Sequence, residues 1–176
     1  MHETKTVLVK LHRFITIAVL ALAPALTASA ANISAKVFSV SGTAECAPPG
    51  SSNFAPLQKG QILAVGSTVR TGDNGIAVLV TTPGSAIQIG NDSVVKINQL
   101  AFKKSGGSIS QREAHLQLTS GVVSALIDPS TPKVTDFQVA TPEGAAAARG
   151  TFFAVLVYHG KTYIGVKEGK VGAVAN

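Results

Sequence analysis

Residues 76–97, IAVLVTTPGSAIQIGNDSVVKI, decide the fold because short β-type runs alternate in them with tight-turn signals. Ile87 and Ile89 flank Gln88. Such alternation predicts a strand with one buried and one exposed face, since successive side chains point to opposite sides. The continuous apolar run 76–80 predicts a strand that is buried on both faces. Within residues 76–97, the other two predicted strands are 86–89 and 94–97, and the turn signals between the strands are Pro83-Gly84 and 90–93.

The same pattern continues along the chain in both directions. The apolar run 152–157 is again predicted to be buried on both faces. Thr141-Pro142-Glu143 precedes 145–148, where we expect one helical turn or an irregular crossing. A strand about every ten residues predicts an all-β domain. Further strands are predicted at 35–40, 61–65, 115–118, 122–127, 137–140, 152–158, 162–166 and 170–174.

Composition excludes several classes of protein. The chain has 176 residues, of which 45% are hydrophobic and 14% are charged. Such low charge argues against a disordered chain, and the absence of charged heptads argues against a coiled coil. A single cysteine, Cys46, excludes a disulfide scaffold and a multi-cysteine zinc site. The net charge of +6 is scattered, which argues against a nucleic-acid surface.

The N-terminus has the pattern of a signal peptide. Basic residues precede an uncharged run at 14–26, and an A-x-A motif ends at Ala30. We therefore expect a signal peptide at 1–30, a single β domain at 31–176, and a periplasmic or secreted protein. The run is shorter than a bilayer span, so no stable membrane span is expected; the alternative is an uncleaved anchor.

Residues that could carry catalysis are few. No nucleophile elbow, P-loop or dinucleotide motif occurs, and His115 and His159 stand apart from each other. Three aspartates lie in turn signals, where their side chains stabilise the turn. We expect no enzyme, no cofactor and no metal site. These aspartates are Asp73, Asp92 and Asp128.

Glycine spacing suggests corners between strands. Five glycines fall on multiples of six, as in a hexapeptide β-helix, but only Val65 and Ile89 supply the aliphatic residue that such a helix needs before its glycine. A regular hexapeptide helix is therefore disfavoured, and a looser roll with a glycine at each corner remains open. The five are Gly60, Gly66, Gly72, Gly84 and Gly90.

Six blocks in order resemble the FecR domain family. They match the patterns G-x-x-L-x-x-G-x-x-V-x-T-G, an aliphatic strand, G-S-x-I-x-I-G, L-x-x-G-x-V, F-x-V-x-T-P and R-G-T-x-F-x-V. The resemblance covers roughly residues 36–174. The family-motif residues are Gly66, Thr71, Gly72, Thr141, Pro142, Arg149, Gly150, Thr151 and Phe153.

The resemblance implies an all-β fold, a short-strand β-solenoid-like roll or sandwich. It also implies an exported, non-enzymatic interaction or signalling domain that binds another envelope protein, such as a transporter signalling domain. The alternative is a structural or glycan-binding cell-envelope protein. The chain shows no cytoplasmic anti-sigma segment, so an anti-sigma role is not expected.

The Arg149-Gly150-Thr151 motif also has a physical interpretation. We expect Gly150 to adopt a positive φ, Thr151 to begin a buried strand, and Arg149 either to pair with Asp136 or Glu143 or to contact a partner. An exposed sheet edge or an apolar patch would favour protein binding. A groove lined by two tyrosines and amides would favour glycan binding. Those tyrosines are Tyr158 and Tyr163.

Overall fold

A computed structural model describes residues 33–176, so the expected signal peptide at 1–30 lies outside the described residues. The described part has fourteen strands, one 3₁₀ turn (Pro132–Val134) and no α-helix. The all-β expectation is therefore confirmed. The strands are β1 (Ala35–Ser41), β2 (Ala44–Ala47), β3 (Ala55–Pro56), β4 (Ile62–Leu63), β5 (Thr68–Thr71), β6 (Ile76–Thr82), β7 (Ser85–Ile89), β8 (Val94–Ser105), β9 (Ser108–Ile127), β10 (Thr135–Thr141), β11 (Gly144–Ala148), β12 (Phe152–Tyr158), β13 (Lys161–Glu168) and β14 (Val171–Ala175).

Two curled sheets share strand β9 and enclose the core. Sheet A has the order β4-β1-β6-β7-β9-β12-β13 and is antiparallel throughout. Sheet B has the order β3-β2-β5-β8-β9-β10-β11-β14, with β9 and β10 parallel and the other pairs antiparallel. Phe137 of sheet B and Phe153 of sheet A meet edge to face, with ring centroids 5.9 Å apart. The core therefore lies between the inner faces of the two sheets.

Strand β9 passes from sheet B to sheet A at Gly121. Its even-numbered residues from 112 to 118 are buried, whereas from 123 to 127 the buried residues are odd-numbered. Gly121 has a φ of +82°, a conformation that glycine adopts without strain. This one residue changes which side of the chain faces inward, so β9 contributes core side chains to both sheets.

Other segments of the chain also bend near Gly121. The chain crosses between the sheets at Gly42, from Gly72 to Gly75, and from Gly90 to Ser93. Buried hydrogen bonds join these corners: the Thr71 hydroxyl donates to the Gly90 carbonyl at 2.5 Å and accepts from the Ser93 amide at 3.0 Å. This arrangement is the roll with glycine corners that the spacing had left open.

The expected helical turn at 145–148 is wrong. Residues Gly144–Ala148 form strand β11, which pairs with β10 on one side and β14 on the other. Ala146 and Ala148 are buried in the core, and Pro142-Glu143 form the hairpin turn instead. Pairing on both edges outweighs the weak helical preference of a short alanine run.

The expected burial of two strands on both faces is also wrong. In β6, Ile76 and Val80 are 40% and 38% exposed, and in β12 Leu156 is 39% exposed. Each strand buries only alternate residues, because no second layer covers the outer side of sheet A within residues 33–176.

Several strands differ in extent from those predicted. Strands β8 and β9 form a long hairpin around Gly106 and Gly107, and β9 joins the two separate runs predicted at 115–118 and 122–127. Of the strand predicted at 61–65, only the two residues of β4 form a strand. Strands β2, β3 and β5 were not predicted.

Candidate interaction surface

The outer faces of the two sheets differ in chemistry. The outer face of sheet B is polar: Arg70 and Glu45 form an ion pair at 2.7 Å, and the His115 Nε2 lies 3.1 Å from the Asp136 carboxylate. Gln99 also donates to the Glu113 carboxylate at 2.6 Å on this face. An antiparallel sheet that meets water normally has such a polar outer side.

The outer face of sheet A is mainly apolar, with Gln88 and Ser124 as polar cross-strand partners in its middle, and we call it the apolar face. Val80, Ala86, Leu126 and Phe152 are successive cross-strand partners on β6, β7, β9 and β12. Phe38 of β1 lies beside Val80 and is 63% exposed, while Leu126 is 58% exposed. These five residues, the apolar row, span about 19 Å at the usual strand spacing. Further exposed members of the face are Ile62, Ile76, Leu156, Tyr158 and Tyr163.

Small side chains leave recesses along the apolar row. A recess of about 560 Å³ is lined by Val80, Ala86 and Leu126. A second of about 320 Å³ lies beside Phe152, and a third of about 280 Å³ lies beside Phe38. Protruding side chains of a partner would fit such recesses, as in well-packed interfaces.

Lysines outnumber the acids beside the apolar row, which include Glu168, the cross-strand partner of Phe152. Strands β1, β6, β7 and β12 contain no Asp or Glu. Lys36 and Lys59 line the recess beside Phe38, and the Lys167 ammonium lies 5.2 Å from the centre of the Phe152 ring. Lysines thus lie at both ends of the apolar row.

Asp128 borders the middle recess, and its charge is engaged locally. Its carboxylate accepts hydrogen bonds at 2.8 Å from both the amide and the hydroxyl of Ser130. These bonds, and more weakly the Arg112 guanidinium 3.8 Å away, hold the pKa of Asp128 below its usual value.

Arg112 fixes this border from inside the protein. It is 1% exposed, and its guanidinium donates to the Pro83 carbonyl at 3.1 Å and the Asp128 carbonyl at 2.8 Å. It also donates to the hydroxyls of Thr131 and Thr135. The β6–β7 turn and the loop after β9 are therefore held together. Arg112 was not predicted as a buried residue, although it is in phase with the alternation at 116–118.

The family-motif residues support the fold at several separate places. Thr71 and Gly72 lie where the chain passes from β5 of sheet B to β6 of sheet A. Gly66, just before β5, has a φ of +92°. In the β10–β11 hairpin, the Thr141 hydroxyl donates to the Gly144 carbonyl at 3.2 Å. Pro142 is the first residue of the hairpin turn.

The last motif closes the end of the roll. Gly150 has a φ of +110°, which confirms the expected positive φ, and Thr151 and Phe153 are buried. The expected pairing of Arg149 with Asp136 or Glu143 is wrong within the described residues: Asp136 pairs with His115, and the Glu143 carboxylate accepts from the Thr162 amide. Arg149 is exposed instead and lies directly after Ala148, the last residue of β11.

An open sheet edge adjoins the apolar face. Among the described strands β13 pairs only with β12, and β14 only with β11. A groove of about 690 Å³ between these two edges is lined by Ile164, Val174 and Glu143. Tyr158 and Tyr163 lie on the apolar face rather than in this groove, so these tyrosines do not line it.

The candidate catalytic residues remain isolated. His159 lies in the β12–β13 turn with a φ of +48°. The centroid of its ring lies 4.1 Å from the centroid of the Tyr158 ring. Cys46 is buried, and its Sγ accepts from the Gln61 amide at 3.0 Å. Residues 33–176 contain no group of three His, Cys, Asp or Glu side chains that could hold a metal ion.

The described residues thus form a curled two-sheet β domain whose two outer faces differ in polarity. A family model described as FecR protein matches residues 67–172, more than half of the chain. The chain belongs to the FecR family, a non-enzymatic signalling family of the cell envelope. A search of curated proteins and a search of solved structures gave no significant match. Within the described residues, no helix is long and apolar enough to cross a membrane.

Proposed function

We propose that this chain is an exported envelope module that binds another protein through the apolar face of sheet A. The observation that carries the proposal is the contrast between the two outer faces. Sheet B meets water with paired polar and charged side chains, whereas sheet A exposes Phe38 and Leu126 in a continuous row. Monomeric proteins rarely leave such contiguous apolar surface uncovered unless it binds something.

The position of the face within the family supports the proposal. Val80, Ala86, Leu126 and Phe152 all lie within the matched residues 67–172, so most of the apolar row belongs to the family domain itself. Members of this family act generally in envelope signalling, which proceeds by contacts between proteins. A transporter signalling domain is one partner of this kind.

Export is part of the proposal and has its own test. If a signal peptidase acts after Ala30, N-terminal sequencing of the protein recovered from an envelope fraction begins at Ala31. A chain that begins at Met1 and stays with the membrane pellet would support the uncleaved anchor instead.

The binding proposal is tested by capture with matched variants. The immobilised wild-type protein, Leu126→Gln and Val174→Gln are each incubated with envelope extract, and bound proteins are identified by mass spectrometry. Both positions are exposed apolar residues, but Val174 lies on β14 of sheet B, in the groove between the two open edges rather than in the apolar row. Leu126→Gln should lose the partner that the wild type and Val174→Gln retain. Equal recovery by all three would contradict the proposal, and recovery of glycan alone would favour the structural or glycan-binding alternative.

A further inference from the structure

We infer that the partner surface is acidic: apolar side chains enter the recesses, and carboxylates at the two ends meet lysines of this chain. The inference rests on the proposed function and adds the chemistry of the partner. The residues concerned are Lys36 and Lys59 at the Phe38 end and Lys167 at the Phe152 end.

The three lysines are available for this role. Within residues 33–176, none of them forms an ion pair. Lys36 on β1 is the cross-strand partner of Val80, so it lies directly beside the apolar row. Lys167 lies over the Phe152 ring, which places a cation at the far end of the same row.

The distribution of acidic residues gives the sign of the partner's charge. Acids on the outer face of sheet B have side-chain partners there, as Glu45 has Arg70 and Glu113 has Gln99. Four strands of sheet A carry no acid at all. The acids beside the apolar row are Asp128 at the middle recess and Glu168, the cross-strand partner of Phe152. An acidic partner would therefore meet only lysines at the Phe38 end, and Lys167 beside Glu168 at the Phe152 end. Such complementarity selects partners and speeds their association.

The recesses favour a protein over an anionic membrane surface. A bilayer is penetrated by protruding side chains, but here Ala86 lies between Val80 and Leu126 in a recess of about 560 Å³. Recesses of this kind accept the side chains of a folded ridge. A helix of about thirteen residues would span the row of about 19 Å.

The test uses two designed helical peptides as probes. Both carry one leucine stripe; in one the stripe is flanked by glutamates at both ends, and in the other by glutamines. Binding to the protein purified after expression of the full chain is measured by fluorescence anisotropy at low and high salt. The glutamate peptide should bind at least about tenfold more tightly at low salt, and the difference should shrink at high salt because salt screens charges.

Two charge-matched variants assign the effect to the apolar face. The triple variant Lys36→Glu, Lys59→Glu and Lys167→Glu should lose the preference for glutamate. The control triple Lys96→Glu, Lys103→Glu and Lys133→Glu changes the net charge equally at exposed positions outside the face and should keep it. Circular dichroism melts confirm that both variants fold.

Several results would overturn the inference. These are equal binding of the two peptides, no binding of the glutamate peptide at millimolar concentration, or an equal loss in the control triple. Lysine-dependent sedimentation with phosphatidylglycerol vesicles, without a preference for the glutamate peptide, would assign the lysines to a membrane surface instead. If Leu126→Gln abolishes capture but the lysine triple does not weaken it, the proposed function stands and the acidic partner does not.

Discussion

Replacing Gly121 with alanine tests the corner on which the two-sheet roll depends. A Cβ at this position would lie 2.5 Å from the Ser93 Cα and 2.6 Å from the Asp92 carbonyl oxygen, so the backbone must move. The Val122 amide also donates to the Ser93 hydroxyl at 2.9 Å, and that bond is disturbed by the same movement. Gly107 has the same φ of +82° in the β8–β9 hairpin, but a Cβ there would meet nothing within 4 Å.

The magnitude follows from three terms. A left-handed conformation costs a non-glycine residue about 1–2 kcal/mol. Overpacking adds about 1–3 kcal/mol, and the lost hydrogen bond adds about 1 kcal/mol. Gly121→Ala should therefore lower the free energy of unfolding by about 3–6 kcal/mol. Gly107→Ala has only the first term and should lower it by about 1–2 kcal/mol.

The assay is urea unfolding followed by far-ultraviolet circular dichroism, since the chain contains no tryptophan. The difference between the two variants isolates the contacts at the corner from the strain of a positive φ. A Gly121→Ala protein that loses no more stability than Gly107→Ala would refute the corner as we describe it.

Three further outcomes are expected. Gly150→Val should lower the melting temperature sharply, because a Cβ at Gly150 would lie 2.6 Å from the Pro129 Cα; an unchanged melting temperature would count against the motif's structural role. Arg112→Met should lower the free energy of unfolding by about 3–5 kcal/mol in urea, because the carbonyls of Pro83 and Asp128 would lose their donor. A loss within experimental error would contradict this. The depressed pKa of Asp128 contributes stability that is present above its unfolded pKa and is lost as pH falls through the folded pKa. Asp128→Asn should accordingly be less stable than wild type at neutral pH and equal to it in strong acid, as followed by melting at each pH.

The sequence was informative where local rules decide the structure. Alternation at Ile87 and Ile89 predicted a strand that buries one face, and β7 does so. Glycine spacing pointed to corners, and two of the five spaced glycines, Gly72 and Gly90, lie where the chain crosses between the sheets, whereas Gly121 was not among the five. Both features depend on a few adjacent residues, so they can be read along the chain.

Long-range pairing explains what the sequence could not show. The alanines of β11 look weakly helical until β10 and β14 pair with both edges. Arg112 resembles an ordinary surface residue, because the oxygens that accept its hydrogen bonds come from loops separated from it along the chain.

The apolar face was hidden for a related reason. Continuous apolar runs predicted strands that are buried on both sides, and the structure covers only one side. The proposed partner would supply the missing layer over Val80 and Leu156. The expectation that failed for the isolated chain therefore points to the surface that we assign to binding.

Carbene footprinting of the protein with and without its captured partner tests the central claim most directly. Labelling should fall at Phe38, Leu126 and Phe152 when the partner binds and should stay unchanged on the outer face of sheet B. Unchanged labelling of these three residues, with protection around His115 instead, would contradict it.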